Sequence, residues 1–243
     1  MSRSGKPAAQ DWTAEAVLDE LRTLGSEKNR AGMARFGIET GKAFGISMAV
    51  LRPFAKRVGK SSVLAKELWQ TSFHEARLLA ILITPPKELT GELATIWLAD
   101  VNSWDLCDQL AGVFARNEVS STLIENYCKD EREFVRRAGF ALIAWRALPS
   151  SKTSEEELLG YFPLIELGST DTRNFVWKAV HWALRQIGKK SLPLHTPALS
   201  LARKLETSSD KTTRRVGREA ARELSSDKIM DRLRARSSNQ RIM

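Results

Sequence analysis

The stretches "DEREFVRRA" (residues 130–138) and "DTRNFVWKA" (171–179) carry Asp, Arg, Phe, Val and Ala at matching places, 41 residues apart. Five identities in nine positions make coincidence the poorer explanation. An earlier stretch, "DVNSWDLCD" (100–108), fits more weakly, with Trp104 where the others have Phe134 and Phe175. A last copy, "DKTTRRVGREAARELSS" from Asp210, is weaker still. A period near 40 residues in a helical chain is the mark of stacked helix pairs of the HEAT type, which curve and present one helix of each pair on a concave face.

The rest of the chain is helical in the same way. "TAEAVLDELRTLG" begins near Thr13 and stops at Gly25, and "SMAVLRPFAKRVG" opens on Ser47 and closes on Gly59. These are N-cap and C-cap residues flanking helix-period apolar patterns. "SEEELLGYF" starts at Ser154 with acids in its first turn, as the helix dipole prefers. The "HEARL" at His74 lacks a second histidine at metalloprotease spacing and reads as a helix start. Alternating β-branched runs with hairpin turns are absent. The expectation is an all-α, HEAT-like helical repeat solenoid with a concave basic face. It forms one domain over residues 11–233, between a disordered stretch at 1–10 and a flexible basic tail at 234–243.

Composition narrows the partner. Lys plus Arg number 38 against 29 Asp plus Glu, a net charge of +9 and a pI near 9.8. Such a balance favours a polyanion, and nucleic acid is the commonest one. No apolar run approaches the roughly 20 residues that span a bilayer. The start "MSRSGKPAAQ" has no apolar core of a secretory leader. Three histidines and two cysteines, Cys107 and Cys128, stand too far apart for a zinc site, and no glycine-rich phosphate loop occurs. No metal, no cofactor and no membrane partner are expected, and a cytoplasmic, nucleoid-associated monomer is the simplest setting.

Helical wheels at about 100° per residue single out one margin of the repeats. Around Trp104, residues Leu106, Cys107, Leu110, Val113 and Phe114 form the apolar arc, and Trp104 and Asp108 lie together at its edge. Asp108 falls where the two clearer copies have Ala138 and Ala179, unless the register shifts by one. An acid at an alanine position breaks the local rule, and such breaks tend to be functional. The competing reading is that Asp108 pairs with a neighbouring helix and the tryptophans are packing. In "FVRRAGFALIAW" the buried arc is Phe134, Ala138, Ala141, Leu142 and Trp145, with Arg137 at its margin and Arg136 nearly opposite. In "FVWKAVHWALRQIGK" the arc is Val176, Ala179, Val180, Ala183 and Ile187, with Trp182 at the edge beside Lys178 and Arg185. Trp12, Trp69, Trp97, Trp145 and Trp177 have no such company and read as structural or unassigned.

Together, "SWDLCDQLAG", "EFVRRAGFALIAW" and "FVWKAVHWALRQIGK", with the N-terminal "GMARFGIETGKAFGISMAVLRPFAK", resemble the DNA alkylation repair family of HEAT-like glycosylases, the AlkD-like proteins. The similarity runs from about Asn29 to Gly188 and more loosely to Leu224. The resemblance implies a lesion-facing cluster of Trp104, Asp108, Arg137 and Trp182, with Arg136 as the alternative to Arg137. It implies hydrolysis of the N-glycosidic bond of cationic alkylated purines, N3-methyladenine or N7-methylguanine, in double-stranded DNA during base-excision repair. Asp108 would be the catalytic group, Trp104 and Trp182 the aromatic contacts, and Arg137, Lys178 and Arg185 the phosphate contacts. Relatives that bind DNA without excising bases make a non-catalytic HEAT-repeat protein that binds DNA structures the alternative.

Overall fold

A computed structural model describes residues 12–240, with side chains described as far as residue 238; residues 1–10, expected to be disordered, lie outside the described residues. The described chain is helical, with no strand. Its contacts separate it, between Glu88 and Leu89, into two compact units.

The first unit holds α1 (Ala14–Leu24), α2 (Glu27–Met33), α3 (Met48–Val58), α4 (Ser62–Gln70) and α5 (His74–Ile83). The caps fall where the sequence puts them. The Thr13 hydroxyl accepts from the Ala16 amide, Ser47 is the N-cap of α3, and Gly59 ends that helix at φ 83°, a left-handed conformation that favours glycine. The connection into α3 is fixed from inside the unit. The fully buried Glu75 carboxylate of α5 accepts from the amides of Phe44 (2.8 Å), Gly45 (2.7 Å) and Ile46 (3.1 Å). Three donors aimed at one buried acid satisfy what would otherwise be a costly desolvated charge.

The second unit holds α6 (Gly91–Asp100), α7 (Trp104–Phe114), α8 (Ser121–Lys129), α9 (Glu133–Arg146), α10 (Glu155–Gly160), α11 (Phe162–Gly168), α12 (Asn174–Gly188), α13 (Leu192–Glu206), α14 (Lys211–Leu224) and α15 (Asp227–Gln240). The α15 helix continues through residues 234–240, part of the stretch expected to be a flexible tail; residues 241–243 lie outside the described residues. Four of these helices stack in succession: α7 on α9, α9 on α12, and α12 on α14. Others back them, with α8 against α9, α11 and α13 against α12, and α13 against α14.

The repeated Asp–x–Arg explains how successive copies join. Asp130 Oδ1 accepts from the backbone amide of Arg132 at 2.8 Å, and Asp171 Oδ1 from that of Arg173 at 3.0 Å, so each acid shapes the entry to the next helix. Arg136 then donates to Asp171 at 2.8 Å, and Arg173 donates back to the Glu131 carbonyl at 2.5 Å. The Phe134 and Phe175 rings meet at 5.6 Å. The 41-residue identity is therefore the recognition surface between one repeat and the next. Asp210 departs from this pattern. It is itself the N-cap of α14, accepting from the Thr213 amide at 2.7 Å, which is why the last copy reads weakly.

The helix starts also fix the register between repeats. The fifth residue is Asp108 in α7, Arg137 in α9, Lys178 in α12 and Arg215 in α14. Asp108 thus aligns with Arg137, one place away from the alanine register read in the sequence. The predicted apolar arc of α7 is buried throughout, as is that of α12.

Candidate functional site

Asp108 sits in the second turn of α7 with its side chain 16% exposed, and its carboxylate is gripped from the neighbouring helix. Arg137 Nε donates to Oδ1 at 2.9 Å and Nη2 to Oδ2 at 2.8 Å, a bidentate pair across 29 residues of chain. Arg137 Nη1 donates to the Phe175 carbonyl at 2.6 Å, so one guanidinium ties α7, α9 and α12 together. Burial pushes the Asp108 carboxyl above its usual value, and Arg137 opposes that push by charge and by hydrogen bonding.

A cleft of ≈ 370 Å³ opens beside this pair. Asp108, Arg137, Lys178, Trp182 and Arg185 line it, together with Trp177, His181 and Glu219. Five of the six residues singled out in the sequence meet there. Trp104 is not among the lining residues; it is half-buried, with the Arg137 guanidinium 5.9 Å from its ring. Trp182 is held edge-on against Trp145, with ring centroids 5.9 Å apart, and Trp145 Nε1 donates to the Asp108 carbonyl at 3.1 Å. A glycine permits this. A Cβ at Gly112 would meet Trp145 at 2.8 Å, so the close approach of that indole to α7 needs a residue without a side chain.

Two of the cations expected on phosphates are engaged within the protein. Arg137, placed by the wheel at a margin, is 6% exposed because α7 and α12 cover α9 from both sides. Arg185 donates Nη1 to Glu223 and Nε to the His181 carbonyl, and Lys189 shares the same Glu223. The Arg136 alternative is likewise taken, by Asp171 and by the carbonyls of Asp130 and Lys129. Lys178 is exposed, with its Nζ 5.7 Å from the Trp177 ring centroid.

Three residues that the helical wheels did not single out, Trp177, His181 and Glu219, complete the wall. The Trp177 indole, 7% exposed, stacks on the His181 imidazole at 5.5 Å and carries the Arg215 guanidinium at 4.1 Å. His181 is pushed down to about 3, chiefly by burial and then by the positive charges of Arg185, Arg215 and Lys178, so it is neutral at physiological pH. The register of the helix starts is the signal that would have found Arg215. The cysteines supply no nucleophile, since burial pushes both the Cys107 and Cys128 thiols well up.

The comparisons with known proteins agree with this architecture. No curated protein matches the chain in sequence. A solved structure described as a new family of proteins related to the HEAT-like repeat DNA glycosylases, with affinity for branched DNA structures, aligns over 87% of this chain and 95% of its own, with a TM-score of 0.73 at 19% identity. At that identity the likeness carries the HEAT-like fold alone. An engineered protein aligns over 86% of this chain and 96% of its own, at 13% identity and a TM-score of 0.34, too low to bear on the fold. The family model described as "DNA alkylation repair enzyme" matches residues 17–224, from α1 to the last turn of α14 and across every residue of the cleft, and the chain belongs to that family.

Proposed function

We propose that the protein is a DNA glycosylase that hydrolyses the N-glycosidic bond of cationic alkylated purines, N3-methyladenine and N7-methylguanine, in duplex DNA. The observation that carries the reading is Asp108, a carboxyl group oriented by two bonds from Arg137 beside an aromatic-lined cleft. A cationic alkylpurine is already a good leaving group, so the reaction needs no general acid. Its transition state is oxocarbenium-like at the sugar, as in glycoside hydrolysis generally. Arg137 takes one lone pair from each Asp108 oxygen and leaves the others to face the developing positive charge and to orient water. Trp182, and on this reading Trp104, provide faces that attract the cationic base by about 0.5–2 kcal/mol each. Lys178 contacts the phosphate backbone without reading sequence.

The test is release of methylated base from methylated duplex by the wild type and by Asp108→Asn. The variant removes the charge opposing the oxocarbenium and loses about 10²–10³ in rate. Release by the variant at the wild-type rate refutes the catalytic role.

A second reading is a protein that binds DNA structures without chemistry. Both Asp108 oxygens are already bonded to Arg137, as a purely structural ion pair requires, and the solved relative is described by its affinity for branched DNA. Wild-type protein that releases no base yet prefers a four-way junction to duplex of equal length decides for this reading.

A further inference from the structure

The aligned fifth positions of α7, α9, α12 and α14 carry one acid and three cations: Asp108, Arg137, Lys178 and Arg215. The acid consumes the first cation through its bidentate pair. Lys178 and Arg215 are both exposed, and among the described residues no carboxylate pairs with either. The nearest acid on α14 in helical spacing, Glu219, is tied to Arg222 at 2.8 Å. Arg215 instead meets an aromatic face. Its guanidinium lies 4.1 Å from the centroid of Trp177, and that indole is itself stacked on His181. A guanidinium held by an aromatic face keeps its in-plane N–H groups available for an anion's oxygens.

We propose that Lys178 and Arg215 form a two-point clamp on the phosphates of a bound DNA strand, with Trp177 as the rigid platform that positions Arg215 beside the Asp108 cleft. The proposal rests on the reading of the protein as one that binds DNA. It assigns the grip to the two cations of the aligned positions that, among the described residues, pair with no carboxylate, rather than to Arg137 or Arg185. Neighbouring stacked helices lie about 8–10 Å apart, while phosphates recur every ~3.4 Å of rise along a strand. The two cations therefore meet different phosphates, and each releases its own counterions. The depressed His181 titration, to which Lys178, Arg185 and Arg215 all contribute, agrees with an electropositive wall at this place.

The clamp is tested with the full chain and an undamaged duplex of about two helical turns, measuring affinity across a salt series. Each of Lys178→Ala and Arg215→Ala is expected to reduce the slope of log affinity against log salt by about 0.9, and the double variant by about 1.8. Arg215→Lys keeps the charge but loses the planar stack, so it retains the slope and weakens binding about two- to fivefold. Arg132→Gln removes an exposed cation already paired with Asp130 and is expected to leave the slope unchanged. Wild-type slopes in Lys178→Ala and Arg215→Ala, with the wild type still salt-dependent, overturn the clamp and leave the DNA reading standing. A wild type whose binding ignores salt, or that does not bind, overturns the DNA reading and the clamp with it.

Discussion

Replacing Arg137 with Met separates a structural cation from a DNA contact. The substitution keeps the length of the stem and removes the guanidinium. In the folded protein it leaves the Asp108 carboxylate with 16% exposure and neither of its two charge-assisted bonds, and it strips the Phe175 carbonyl of its donor. Stranding one partner of a buried pair costs about 3–5 kcal/mol. The remaining exposure of Asp108 lets water return, which argues for the lower end, about 3 kcal/mol. For a chain of this size that lowers the melting temperature by roughly 6–12 °C. Because Arg137 is 6% exposed and its bonds point inward, the salt slope of DNA binding is expected to stay at the wild-type value. The assay is thermal unfolding followed by circular dichroism, run beside a salt series on duplex DNA below the melting range. The double variant Asp108→Asn with Arg137→Met is expected to recover part of the loss, since no unpaired charge remains. A melting shift under about 2 °C combined with a slope reduced by about 0.9 would mean that the guanidinium faces phosphate, and the structural assignment of the pair would be wrong.

Asp108→Asn on its own is expected to slow base release and also to lower stability by about 1–3 kcal/mol, because the two charged acceptors for Arg137 become one neutral amide oxygen and one amide nitrogen that can only donate; an unchanged melting temperature would contradict the pairing. On duplexes carrying a single N7-methylguanine, uracil or hypoxanthine, only the first is expected to yield abasic sites, since a site without a leaving-group acid handles only bases that depart readily; comparable excision of uracil would show that an acid had been overlooked. Trp182→Ala is expected to slow release of the cationic base more than it weakens binding to undamaged duplex, and equal losses in both assays would remove the case for its role at the lesion. His181 is neutral in the folded protein down to about 3, whereas unfolded it takes a proton below its ordinary value of 6.5. Its contribution is therefore present above 6.5 and is lost as pH falls toward about 3. After discounting for its partial exposure, wild type is expected to lose about 1 kcal/mol more than His181→Asn between about pH 7 and pH 5 in urea titrations; an equal loss in both proteins would exclude it.

The helices, their caps and the repeat were legible in the sequence because each is a local property. Thr13 and Ser154 accept from amides in the first turns of their own helices, Ser47 holds the N-cap position of α3 without a side-chain bond, and Gly59 ends that helix at a left-handed φ. The repeated Asp–x–Arg acts partly within its own turn and partly on the next copy, so its identity survives in both. The wheel also recovered the buried faces of α7 and α12 and most of the cleft lining. It put Arg137 at the cleft margin, where the structure has it, but a wheel does not show that α7 and α12 cover α9 on both sides and leave the side chain 6% exposed. What the tertiary structure alone decided is which charges remain available. Asp108 finds Arg137 across 29 residues, and Arg185 finds Glu223 across 38. Arg215 reaches Trp177 from the next helix of the stack. Each of these depends on the relative register of separate helices, a quantity set by inter-helix packing and capping that no single helical wheel contains.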